Sequence, residues 1–124
     1  MTDILLVSFG ALLGANARFL IYKKLEQISL NKNFIILIIN IFSSFLLGYS
    51  ISFLSRYSNL NFSYKLGLFF AIGLLGSLST FSTFIYDLFN LLIKSKFSRA
   101  LQLFISSSTL GIILFGYGFS LAKQ

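Results

Sequence analysis

The sequence predicts an all-α membrane protein of four transmembrane helices, on three observations. Of its 124 residues, 56% are hydrophobic and only 10% are charged, with a mean hydropathy of +0.88. Soluble chains carry about a quarter charged residues, and a domain this small has too little interior to hide so much apolar surface. The apolar residues also fall into four runs close to the ~20 residues that a helix needs to cross a hydrocarbon core. Finally, Cys and His are absent and the only acids are Asp3, Glu26 and Asp87. Without thiol or imidazole there is no zinc centre, disulfide or histidine base. Composition therefore points away from an enzyme, with lipid as part of the solvent.

The first span runs from about Ile4 to Tyr22. It reads as a retained helix, because a signal peptide would open with positive charge and this segment opens with Asp3. The second covers Phe34 to about Leu54, the third Leu66 to Ile93 and the fourth Ala100 to Leu121. Short polar connections remain at 23–33, 55–65 and 94–99, so residues 1–124 read as one membrane domain. Seven of the ten basic residues, Arg18, Lys23, Lys24, Lys32, Lys94, Lys96 and Arg99, lie on the side of the first and third connections. That bias predicts this side in the cytoplasm and both termini outside. The net charge of +7 sits between spans, where it suits anionic headgroups better than a nucleic-acid groove.

Span three is the longest, at about 28 residues, and a straight helix of that length overshoots the bilayer by roughly 10 Å. Its centre reads Gly73-Leu74-Leu75-Gly76-Ser77-Leu78-Ser79-Thr80-Phe81-Ser82-Thr83. With no Pro in the chain, a helix break must come from Gly and from Ser/Thr side chains competing for backbone hydrogen bonds. Span three is therefore expected to be interrupted near its centre. Freed carbonyls at midplane would be satisfied by a cation or a neighbouring chain.

Polar groups inside a bilayer are costly and default to functional hypotheses. Arg18, a turn inside span one, either snorkels, pairs with Asp87, or serves as a vestibule charge. Asn40 in mid-span two either glues helices or offers two uncharged donors to a moving anion. Phe81 and Phe84 lie three apart among hydroxyls, and ring edges are electropositive, so edges and hydroxyls together suit an anion. Of Ser106-Ser107-Ser108-Thr109 most should back-bond to their own helix, leaving one or two to line a path. Gly10-x-x-x-Gly14 and Ser44-x-x-x-Gly48 read as packing patterns.

These elements, in this order, resemble the CrcB/Fluc fluoride channels over essentially the whole chain. Gly14-Ala15-Asn16-Ala17-Arg18-Phe19 is similar to the family's G-A-x-x-R-[YFW] element. Asn40 with Ser43-Ser44-Phe45-Leu46-Leu47-Gly48 is similar to N-x-x-G-[SA]-F-x-x-G, and Gly73 through Asp87 to G-x-x-G-G-x-T-T-F-S-T-F-x-x-E. Ala100, Ser107 and Gly111 fit the sparser fourth-span pattern. The resemblance implies an antiparallel, dual-topology-type dimer with two pores, exporting cytoplasmic fluoride passively across the cell (inner) membrane. Asn40, Phe81 and Phe84 would line the pore, with Ser82, Thr83 and Ser107 as supporting hydroxyls and Arg18 in the vestibule. Backbone carbonyls of Gly76 and Ser79 would hold a structural, untransported Na⁺ at the dimer interface.

The chain departs from the family pattern at Ile35-Ile36 for Gly-Thr, Leu103 for a frequent Tyr, Ser43 and Ser77 for Gly, Ser79 for Thr and Asp87 for Glu. These changes, with the charge bias, also fit a half-pore or non-conducting subunit paired with a paralogue. A four-helix cation or drug exporter is a weaker rival, because it needs a mid-membrane carboxylate. Asp3 lies at an end and Asp87 well past the polar centre.

Overall fold

The computed structural model describes residues 1–57 and 61–124; residues 58–60 of the expected 55–65 connection lie outside the described residues. Among the described residues all regular structure is helical: α1 (Thr2–Glu26), α2 (Lys32–Arg56), α3 (Asn61–Gly67), a π-helical stretch (Leu68–Leu75), α4 (Gly76–Leu78), α5 (Phe81–Ile93) and α6 (Phe97–Lys123). Four helical runs are long and apolar enough to cross a membrane, the third being Asn61–Ile93 taken together. The chain is thus a multi-pass membrane protein. The helices run past the apolar edges of the expected spans. Lys23 and Lys24, for instance, lie in the last turn of α1, where cations complement the helix dipole and long side chains reach outward.

Small residues set the packing. Gly10 and Gly14 press the backbone of α1 onto the carbonyls of Phe69 and Leu74 in the π-helical stretch. On the other side Gly48 of α2 meets the backbone of Phe115, Ser44 meets Gly111, and Gly118 of α6 meets Phe45. Both pairings ascend together in residue number, so α1 runs parallel to the first half of span three and α2 parallel to α6. Helices without side chains at the seam approach closely enough for dispersion to hold them in lipid. The wider π winding was not foreseen from the sequence. Within it the Phe69 carbonyl lies against Gly10, where a Cβ would collide.

At Ser79 (φ −72°, ψ 149°) and Thr80 (φ −136°, ψ 111°) the backbone is extended. Before these two residues span three packs on α1; after them α5 packs on α6 and α2. The core gathers just ahead of that change of neighbour, with Ile35, Ile39, Leu75 and Leu78 buried among Ala17, Ile21, Leu46 and Leu74. Only 6% to 28% of each span is buried within the chain. The remainder must face lipid or other protein.

Candidate functional site

The extended pair Ser79–Thr80 is held by side chains. The Thr80 hydroxyl accepts from the Thr83 N–H at 3.3 Å, capping α5, and lies 2.9 Å from the Thr83 hydroxyl. The Thr80 N–H donates to Oδ1 of Asn40 at 3.1 Å. A continuous α-helix would direct those two N–H groups to the carbonyls of Ser79 and Gly76, four residues back. Side-chain acceptors take them instead.

Around this pair lies an open cleft of ≈ 310 Å³. Asn40 and Ser44 enter it from α2, Phe81 and Phe84 from the first turn of α5, and Phe104, Ser107 and Ser108 from α6. The Phe84 ring stacks on Phe104 at 6.4 Å between centroids, whereas Phe81 is 76% exposed. With the Asn40 oxygen committed to Thr80, its NH₂ group supplies uncharged donors to this space. Amide N–H, hydroxyl O–H and ring edges all present positive partial charge. No carboxylate lines the cleft. Such a lining favours a small anion and offers no group for acid–base chemistry.

Of the residues expected from the sequence, the cleft brings together Asn40, Ser79, Phe81, Phe84 and Ser107. Thr83 turns away, because two residues on from Phe81 the helix has rotated by about 200°. It lines a second cavity of ≈ 300 Å³ with Arg18, Lys32, Ile36 and Thr80. Ser82 is exposed and lines neither cavity; its hydroxyl sits 3.3 Å from that of Thr80. Gly76 lies about one turn before the extended pair, outside the cleft lining. Thr80, Ser44 and Phe104 were missed. Ser44 follows Asn40 by four and Phe104 precedes Ser107 by three, spacings that put each pair on one helix face. Ser106 and Thr109 return their hydroxyls to the Leu103 and Ile105 carbonyls.

The departures from the family pattern fall at distinct places. Ile35 is wholly buried in the core, and Ile36 walls the Arg18 cavity. Ser43 and Ser77 bond back to the carbonyls of Ile39 and Leu74. Leu103 lies with Leu37 and Ser106 in a third groove of ≈ 520 Å³, whose rim carries Lys32, Lys94, Lys96 and Arg99 and no carboxylate. Asp87 is 5% exposed. Arg18 makes no ion pair with it; Lys32 is the cation whose charge acts on it, and Lys32 also sits 5.8 Å over the Tyr86 ring.

The carbonyls of Gly76 and Ser79 fit the donor set expected for Na⁺, a hard cation that takes oxygen ligands, because neither meets its helical donor.

Comparison with known proteins agrees with a cleft that favours a small anion. A family model described as CrcB-like protein, Camphor Resistance (CrcB), matches residues 5–119. A Prochlorococcus marinus (strain NATL2A) protein named fluoride-specific ion channel FluC 2 is 53% identical over 124 residues, all of both chains. The fluoride-specific ion channel FluC of Chlorobium phaeobacteroides is 36% identical, covering 97% of this chain and 92% of its own. A protein named FluC 1 from Prochlorococcus marinus (strain MIT 9313) is 32% identical, covering 95% and 90%. By family model, full-length identity and an uncharged donor-lined cleft, the chain belongs to the CrcB/FluC family, a family of fluoride channels and not of enzymes.

Proposed function

We propose that this chain forms a passive, fluoride-selective path that lets toxic cytoplasmic fluoride leave the cell across the inner membrane. The observation that carries it is the convergence of Asn40, Phe81, Phe84 and Ser107 on one carboxylate-free cleft. Fluoride, partly dehydrated, passes from the Asn40 amide to the ring edges and on to hydroxyls. Neutral donors suit this, since a fixed charge at midplane would hold the ion too tightly. A negative-inside potential drives the anion outward by about 2.3 kcal/mol per 100 mV. Arg18 acts as the vestibule charge.

The 76% exposure of Phe81 supports a site completed by a second subunit in an antiparallel dimer. The third span then works as two half-helices meeting at Ser79–Thr80. Gly76 and Ser79 carbonyls hold a structural Na⁺ at the interface, where it neutralises partial charge left by the diverted N–H groups. Ser82 and Thr83 lie outside the cleft and support it only through the Thr80 hydroxyl, 3.3 and 2.9 Å from theirs, and the single membrane domain spans 1–124. The basic side, carrying Lys94, Lys96 and Arg99, faces the cytoplasm.

A heterodimer with a paralogue is the second reading, favoured by the numbered relatives: the chain is 53% identical to a FluC 2 and 32% to a FluC 1. Fluoride efflux from liposomes carrying the purified chain tests both. Efflux by the chain alone, abolished in Phe81→Ile, supports the homodimer. Efflux only after adding the paralogue supports the pair, and proton-coupled cation uptake without fluoride flux overturns both.

A further inference from the structure

Thr80 is 7% exposed, yet its N–H and its hydroxyl are both engaged, and in neither case helically. The N–H serves Asn40, while the hydroxyl serves the Thr83 N–H and lies within reach of the Ser82 and Thr83 hydroxyls. One peptide unit therefore faces two ways. Its carbonyl, on Ser79, is left without a helical donor, and its N–H, on Thr80, holds the oxygen of Asn40. An Asn amide has one acceptor atom and one donor atom at opposite ends. Fixing the oxygen decides what the cleft receives.

We propose that Thr80 is the positioning residue of the cleft: its N–H orients Asn40 so that the NH₂ faces the anion, and its hydroxyl keeps residues 79 and 80 from winding into α5. Thr80 acts through Asn40 and Thr83, and the proposal rests on the fluoride reading of the cleft. Removing the hydroxyl returns the Thr83 N–H to the Ser79 carbonyl. The backbone then closes, the N–H of residue 80 turns to Gly76, and Asn40 is released to rotate. Serine keeps the hydroxyl and so preserves each link.

Thr80→Val and Thr80→Ser, compared in liposomes and by NMR of the Asn40 side-chain amide, test this. Flux per folded protein falls about tenfold or more in Thr80→Val and stays within about threefold of wild type in Thr80→Ser. The Asn40 amide gives two sharp, fluoride-responsive resonances in wild type and Thr80→Ser, and broadened, unresponsive ones in Thr80→Val. A capping role alone would lower the stability of Thr80→Val while leaving the flux of folded protein and the Asn40 resonances unchanged, and that result overturns the proposal. Equal loss in both variants also overturns it. Should Thr80→Val not fold, hydrogen exchange in the wild type decides: protected Thr80 and Thr83 amides support the scheme, and freely exchanging ones refute it. If the wild type conducts no fluoride while its Thr80 amide is protected and its Asn40 resonances are sharp, the fluoride reading fails and the positioning stands.

Discussion

Replacing Gly48 by Ala tests whether the α2–α6 seam is as tight as its backbone contacts indicate. A methyl at Gly48 would lie 2.9 Å from the Phe115 carbonyl carbon and 3.2 Å from its Cα, against 3.4–4 Å for ordinary contact. The nearer carbonyl oxygen is in harder collision still. Backbone cannot swing aside as a side chain can, so the helices must part by roughly 1 Å, and a gap of that size forfeits up to about half of each dispersion contact along the seam. Overpacking of this kind costs about 1–3 kcal/mol. Gly116, on the same helix as Phe115, meets nothing within 4 Å. Gly116→Ala should gain about 0.5–1 kcal/mol from helix propensity alone. The two variants should therefore differ by about 1.5–4 kcal/mol in unfolding by a denaturing detergent. Equal stability for the pair would refute the close-seam argument. Fluoride flux should fall with Gly48→Ala, since Asn40 lies about 12 Å away along the same seam.

Asn40→Asp keeps an acceptor for the Thr80 N–H but replaces the NH₂ donors by negative charge. Like charges ~4 Å apart at an effective dielectric of ~20 repel by about 4 kcal/mol, so flux should drop on the order of a thousandfold with the fold retained by circular dichroism; survival of a tenth of the flux would contradict the role of the amide. Neutralising the groove rim with Lys94→Gln and Lys96→Gln should slow fluoride flux at low ionic strength and leave it unchanged near 1 M salt, where the Debye length is about 3 Å. A salt-independent loss would mean that the lysines act structurally.

The four spans were legible because lipid demands long apolar runs, and close-packing seams were legible in Gly10-x-x-x-Gly14 and Ser44-x-x-x-Gly48. Asn40, Phe81, Phe84 and Ser107 stood out as polar or aromatic groups clustered at mid-span. The π winding of Leu68–Leu75 left no mark in composition, since its residues LFFAIGLL read as an ordinary apolar helix segment. Thr80 was hidden for a different reason. Its part depends on which N–H meets Asn40, and that is set by backbone angles at two residues. Thr83 was read with its neighbours and turned out to face Arg18, a matter of rotation about the helix that cannot be read until the first residue of α5 is known.

The parallel seam of α2 and α6 also sets a rule for how such a chain can change in length. Ser44 faces Gly111 and Gly48 faces Phe115, so both helices step by four in register, with Asn40 and Ser107 at the same cleft. Connections can lengthen or shorten without moving that register. One inserted residue between Asn40 and Gly48 would instead rotate the amide by about 100° away from Ser107. A matching insertion between Ser107 and Phe115 would not restore the meeting, because two parallel helices turn in the same sense and carry amide and hydroxyl to opposite sides of the seam; viable changes of length should therefore fall in the connections.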